Sequence, residues 1–415
     1  MAASLKASRF LPWIGLLSLL AVGIGKVEGP LLAQAVQSRG RMMQYAYPFQ
    51  RDAFIQLGWL SAFLCAILLV IDSISAETFD LLTEKVRSVI PKLSLSIIMF
   101  FVVGEGTMRL VFWDGMSFGD GRGPIFRRFE RDFKLNRFEG PCRGPDVNGP
   151  KEHGVIRVLV QGDSITWGQG VKDERNLYTA RLLALLRDQN PRVEMAVLAR
   201  RGREIDWHLK QIRRYGNEIQ PDVIIYQWYV NDMELDTKAG RPEGRYRVWR
   251  KLFFHEVVSQ VSYLWYLTDF ALGRMLPAPD RTYQAYILER FSPDTPSWRL
   301  FRATFTDWAH EAKRLTPRVV VLLYPYLDEH GFQLQPIHAK IKGLCRVLGL
   351  EAVDFADDLR DLSEPYKDLA ASRYDAHPNV MAHERIARAL RRMLVERWPD
   401  LLRTRDSSVT SKRAS

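Results

Sequence analysis

Cysteine is scarce. Only Cys65, Cys142 and Cys345 occur in a chain of 415 residues. Three scattered thiols exclude a disulfide framework and a cysteine-rich metal site, although Cys142 and Cys345 remain free to pair. The eight histidines include no pair at metal-ligand spacing with a carboxylate, so no metal is expected, nor any other cofactor. No segment repeats, which excludes a repeat architecture. Acidic residues are in deficit: 48 Asp and Glu stand against 59 Lys and Arg, giving a net charge of +11. Such a balance suits nucleic acid or anionic lipid. Zinc-finger spacing, a basic zipper and an RNA-binding aromatic motif are all missing, so no nucleic-acid partner is expected. The densest basic run, Arg122 to Arg137, directly follows an apolar segment, which suits contact with the acidic headgroups of membrane lipids. Wholesale disorder is excluded by a composition of 47% hydrophobic and 26% charged residues. Only the end of the chain, 401–415, reads as a disordered tail.

What is present begins with three apolar stretches, which make residues 1–113 a candidate membrane region. Segment 10–25 follows Lys6 and Arg9 and reads as a signal anchor. Ala33-Gln-Ala35 is a weak cleavage site, but Lys26 and Glu28 set it far from the apolar core. Segment 53–71 is 19 residues without a charge, which at about 1.5 Å per residue just crosses the hydrocarbon. The third candidate, 93–113, contains Glu105 and Arg109, four apart on one helical face, where they can neutralise each other. Its plainest reading is a helix ending near Gly104. Lys and Arg number five on one side of these crossings and eight on the other, a bias toward a cytoplasmic C-terminal domain.

Residues 114–154 carry four prolines (Pro124, Pro141, Pro145 and Pro150) and read as a connector. From Val155 short apolar runs alternate with helical patterns. Strand-like runs are Val155–Val160, Val193–Leu198, Val223–Trp228, Val319–Tyr324 and Ala352–Phe355. Helices are expected over 177–188, around Ile205, Leu209 and Ile212, and over 298–315, 335–348 and 380–397. Strands that are almost uniformly apolar and alternate with helices imply a parallel sheet covered on both faces. The expected fold class is therefore α/β, with a domain spanning 155–400. Residues 233–297 interrupt the alternation with an aromatic-rich helical insertion.

In such sheets chemistry gathers at the carboxyl ends of the strands. After the first strand comes Gln161-Gly162-Asp163-Ser164-Ile165-Thr166, which exposes a serine at a strand-to-helix turn. After the second, Gly202 allows a backbone N–H to approach a ligand closely. After the third, Asn231 of Tyr229-Val230-Asn231-Asp232 can donate its amide to the same point. Tyr374-Asp375-Ala376-His377-Pro378-Asn379 then supplies a base and an acid to orient it. Each block alone is an ordinary turn or cap. Their order along matching strand ends is what singles them out.

Together these four blocks resemble those of the GDSL/SGNH hydrolase family, over roughly residues 135–398. The resemblance implies a three-layer flavodoxin-like sandwich with about five parallel strands. It also implies Ser164 as nucleophile, His377 as general base and Asp375 as its orienting acid. The oxyanion hole would comprise the Ser164 and Gly202 N–H groups and the Asn231 side chain. Two departures stand out. The third block of the family has glycine where this chain has Tyr229, which narrows the space beside the hole. The last block places its acid three residues before the histidine, whereas Asp375 is two before His377. Membrane-attached bacterial members of the family often act on O-acetyl groups of cell-surface polysaccharides. The substrate implied is thus an acyl ester, a glycan among the candidates, with a membrane acyltransferase as candidate partner. The implied location is the bacterial inner membrane, with the domain extracytoplasmic, against the charge bias. A lipid or thioester acyl substrate, acyl transfer instead of hydrolysis, and a silent glycan-binding or assembly role remain open alternatives.

Overall fold

The computed structural model describes residues 84–118, 123–140, 142–235, 261–275, 283–327, 334–372 and 375–401. The apolar segments 10–25 and 53–71, Cys65 and the tail from 402 lie outside them. In chain order the elements are α1 (Glu84–Val111), α2 (Gly123–Glu130), β1 (Ile156–Gly162), α3 (Ser164–Trp167), α4 (Tyr178–Arg187), β2 (Val193–Ala199), α5 (Ile205–Ile219), β3 (Val223–Trp228) and α6 (Tyr263–Met275). They continue as α7 (Tyr283–Arg290), α8 (Pro296–Leu315), β4 (Val319–Leu323), α9 (Gln335–Val347), β5 (Glu351–Asp354), α10 (Pro365–Leu369), β6 (Ala370–Ser372), β7 (Asp375–Pro378) and α11 (Val380–Arg397). The chain divides into two compact units. One is Met1–Asp114 with Arg122–Arg127 and Gly244–Pro277; the other is Gly115–Gly121, Arg128–Glu243 and Ala278–Ser415.

In the first unit, α1 runs past Gly104 to Val111 instead of ending there. A Cβ on Gly104 would lie 2.9 Å from Leu264 Cδ2, so this glycine permits close packing against α6 and does not stop the helix. Glu105 accepts hydrogen bonds from the Ser262 hydroxyl at 2.8 Å and from the Tyr263 and Leu264 N–H groups at 3.1 and 3.0 Å. It thereby satisfies donors at the start of α6 that no intrahelical carbonyl can reach. Its pairing with Arg109 also forms, at 2.7 Å. Among the described residues no helix, α1 included, is long and apolar enough to cross a membrane. The expected crossing at 93–113 falls largely on α1, whose Phe100, Phe101, Val102, Val103, Leu110 and Val111 are exposed.

In the second unit, five strands form one parallel sheet in the order β2-β1-β3-β4-β5. Every residue of β3 and β4 is buried, as strands covered on both faces must be. Leu159, Leu198, Ile224, Tyr226, Val321 and Leu323 point to one face and share a core with residues of α5, α8 and α9, including Leu209, Ile212, Trp308 and Ile341. Thr295 starts α8 by accepting the Trp298 N–H at 3.2 Å, with Pro296 at the first helical position. Cys142 and Cys345 are both buried and unpaired. Burial pushes both thiols up to about 12, so neither is a reactive thiolate at neutral pH.

Much of the expected connector lies in this second unit. Phe133, Phe138, Cys142 and Val147 are buried. Arg143, itself buried, donates to the carbonyls of Gly168, Val171 and Lys172 at 3.0, 2.8 and 2.7 Å. The expected insertion 233–297 is divided in the same way: α6 falls in the first unit and α7 in the second.

Candidate active site

The sheet order reverses between β1 and β3, and their carboxyl ends face the crevice where ligands of open α/β sheets bind. β1 ends at Gly162, where an added Cβ would collide with the Thr166 hydroxyl and the Gln227 amide. Asp163 caps the short α3, accepting the Ile165 N–H at 3.0 Å. Ser164 is its first residue, so the Ser164 N–H has no intrahelical acceptor.

β6 and β7 form an antiparallel hairpin that the apolar pattern does not announce. Side chains alternate across a strand, so residues two apart share a face. Asp375 and His377 are therefore neighbours on β7, and the shortened spacing suffices. His377 Nδ1 lies 2.6 Å from Asp375 Oδ1, and His377 Nε2 lies 2.9 Å from Ser164 Oγ. The His377 backbone N–H also donates to Asp375 Oδ1, at 3.1 Å. Asp375 is buried, while His377 and Ser164 keep slight access to solvent. Burial pushes the Asp375 carboxyl up. The His377 hydrogen bond and charge, the Ser117 hydroxyl and the His377 N–H outweigh this and hold it below the ordinary aspartate value.

Asn231 lies in the single 3-10 turn Val230–Met233 that follows β3. Its Nδ2 donates to Asp163 Oδ2 at 3.1 Å, leaving one amide hydrogen for a ligand. Asp232 fixes this turn by accepting the Tyr229 N–H at 2.8 Å. Gly202 lies in the turn after β2. The Arg200 N–H donates to Gly162 O at 3.2 Å, which ties that turn to the end of β1. Gly202 has φ +61° with open space where a Cβ would stand, so backbone conformation and not crowding favours glycine there. The structure thus joins Ser164, His377 and Asp375 by direct hydrogen bonds. It links Asn231 to them through Asp163 and sets Gly202 at the neighbouring strand end.

Three contributors escaped the sequence reading. Asp163 is fully buried. Burial raises its pKa, and the Ile165 N–H, the His377 charge and the Asn231 and Gln227 amides offset part of that rise. Gln227 Oε1 accepts the Asp163 N–H at 3.3 Å and the Thr166 hydroxyl at 2.9 Å. Ser117 donates to Asp375 Oδ2. The Gly-Asp-Ser block itself pointed to Asp163; nothing local marked the other two. His208 and His383 are fully buried, and that burial lowers both to about 3. Both are neutral at ordinary pH, and His383 Nδ1 accepts the Tyr178 N–H at 3.0 Å. Among the described residues no three His, Cys, Asp or Glu side chains are grouped to hold a metal ion.

Residues 160–385 match the model of the GDSL-like lipase/acylhydrolase family. The chain belongs to that family. It is accordingly a hydrolase acting on ester bonds, with the parallel α/β sheet described above. Solved structures similar to this family member include that of TesA, at 14% identity and TM-score 0.37, covering 57% of this chain and 97% of that one. A catalytic mutant of an acetylxylan esterase from Geobacillus stearothermophilus matches at 17% identity and TM-score 0.34, covering 58% and 95%. A lipase/acylhydrolase from Enterococcus faecalis matches at 14% identity and TM-score 0.35, covering 59% and 97%. Comparison with curated proteins finds no match.

Because the Asp375 pKa is depressed in the folded state, its ionised form favours folding. That contribution is complete above the ordinary aspartate value of about 4 and is lost as pH falls through the lower folded value. Asp375→Asn is expected to flatten the fall of unfolding free energy below about pH 4, read by denaturant titration at a series of pH values. An acid limb as steep as that of the wild type would contradict the assignment.

Proposed function

We propose that the chain cleaves a small acyl ester, with Ser164, His377 and Asp375 as its catalytic relay. The observation that carries this reading is the unbroken path from Ser164 Oγ to His377 Nε2, 2.9 Å, and from His377 Nδ1 to Asp375 Oδ1, 2.6 Å. His377 takes the Ser164 proton as the hydroxyl oxygen attacks the acyl carbon. Asp375 holds the ring in the tautomer that leaves Nε2 as acceptor and stabilises the imidazolium that forms. The Ser164 and Gly202 N–H groups and the free Asn231 amide hydrogen receive the charge that develops on the carbonyl oxygen. His377 then returns the proton to the departing alkoxide. A water, deprotonated by the same imidazole, cleaves the acyl-enzyme and releases the acid. A sugar hydroxyl in the place of that water turns the same sequence into acyl transfer.

Tyr229, half-buried between β3 and Asn231, occupies the position where the family pattern has glycine. Its ring stacks on Tyr326 with centroids 6.5 Å apart, and a braced ring beside the hole favours a short acyl group. In this reading the substrate is an O-acetyl ester, on a cell-surface polysaccharide. The apolar segments 10–25 and 53–71 tether the domain to the bacterial inner membrane, on its outer side. Support for the tether is the length and apolar character of those segments, together with the exposed apolar residues of α1.

A fluorophosphonate probe is expected to label the wild type and not Ser164→Ala. Asn231→Ala is expected to lower kcat by about a hundredfold or more. A folded wild type that resists the probe would end the hydrolase reading, and an unchanged rate in Asn231→Ala would remove that residue from the hole. Tyr229→Gly is expected to raise turnover of p-nitrophenyl butyrate relative to the acetate by about tenfold or more, the scale of a single methylene in a pocket; an unaltered chain-length profile would count against the wall. For the tether, the chain should stay with bacterial membranes through alkaline carbonate washing and be cut by protease added outside spheroplasts. Release by carbonate would refute membrane insertion, and protection from protease would reverse the side.

A further inference from the structure

The second oxygen of Asp375 has a partner far away in the chain. Oδ1 serves the His377 ring and the His377 N–H. Oδ2 accepts the hydroxyl of Ser117, 258 positions earlier. Both residues are almost completely buried, Ser117 at 4% and Asp375 at 1% exposure, so water is a poor substitute for that donor. The next residue of the same strap makes a second attachment: Phe118 O accepts the Gln169 side-chain amide at 3.0 Å, also in a buried place. Gln169 precedes Gly170, where an added Cβ would lie 2.6 Å from Ala371 Cβ and 3.3 Å from Pro378 O. The strap therefore holds the acid directly, and through Gln169 it holds the turn packed against the hairpin that carries acid and base.

We propose that Ser117 is a positioning residue of the relay, fixing the Asp375 carboxylate plane so that Oδ1 stays in line with His377 Nδ1. This rests on the hydrolase reading given above. A carboxylate anchored by only one oxygen can turn about its own axis, and a buried oxygen without a donor favours any rotation that finds one. Neither oxygen of Asp375 is left over in the observed arrangement. The strap lies outside the span 160–385 that matches the family. Residues close to the N-terminal segments thus contribute to the relay without touching substrate.

The test uses full-length protein and p-nitrophenyl acetate, with Ser164→Ala as blank. Ser117→Ala is expected to lower kcat by about ten- to a hundredfold, the range for a buried hydrogen bond to a charged group, with KM within about twofold. Ser117→Thr, which keeps the hydroxyl, is expected to recover most of that loss. Ser117→Ala with unchanged kcat overturns the proposal. So does a loss in which KM rises and thermal stability falls together and which Ser117→Thr does not repair, because that pattern marks a purely structural contact. Wild type with no turnover above the Ser164→Ala blank overturns the hydrolase reading itself, and this proposal with it, a failure visible before any Ser117 variant is made.

Discussion

One buried carboxyl holds the site together. Asp163 is the last residue before Ser164, and its side chain accepts the Ile165 N–H with one oxygen and the Asn231 amide with the other. A carboxylate removed from water is costly unless donors meet it, so these bonds are a condition of its being there. They also join two strand ends that are distant in sequence and adjacent in the sheet, β1 and β3. Gln227, within β3, repeats the tie one step deeper by accepting from the Asp163 backbone and from Thr166. The Ser164 turn is thereby clamped from the strand that carries the third block.

The layered architecture was legible because central parallel strands are buried on both faces and must be apolar throughout. Val223–Trp228 shows this at every position but Gln227, and its bounds agree with β3. The hairpin β6–β7 was not legible. Ala370–Ser372 and Asp375–Pro378 are too short and too mixed to show a period. That omission also left the reach of Asp375 open, since its spacing to His377 serves a strand and not a helical turn. Ser117 and Gln227 act through contacts hundreds or tens of residues away, and one sequence carries no mark of such pairings. Gly104 misled for a different reason: a glycine within a helical pattern reads as a stop, but here it makes room for a Leu264 side chain.

Composition likewise obscured the role of residues 128–154. Proline and glycine mark a segment that cannot be a long helix, yet a segment without regular structure can still be packed. Arg143 shows how this is done. Its guanidinium lies 3.7 Å from the centroid of the Phe133 ring, an arrangement attractive through the ring quadrupole. The same group donates to three carbonyls of the loop after Ser164's helix. A stretch with the composition of a linker is in effect a brace for that loop.

The two-residue step between Asp375 and His377 makes their pairing sensitive to chain length at one place. Inserting or deleting a single residue there would rotate one side chain to the opposite side of the ribbon, leaving carboxyl and imidazole back to back. Substitution at position 376, whose side chain faces solvent, disturbs nothing of the kind. The three-residue spacing of the family pattern therefore calls for a backbone at this point other than the extended ribbon of β7.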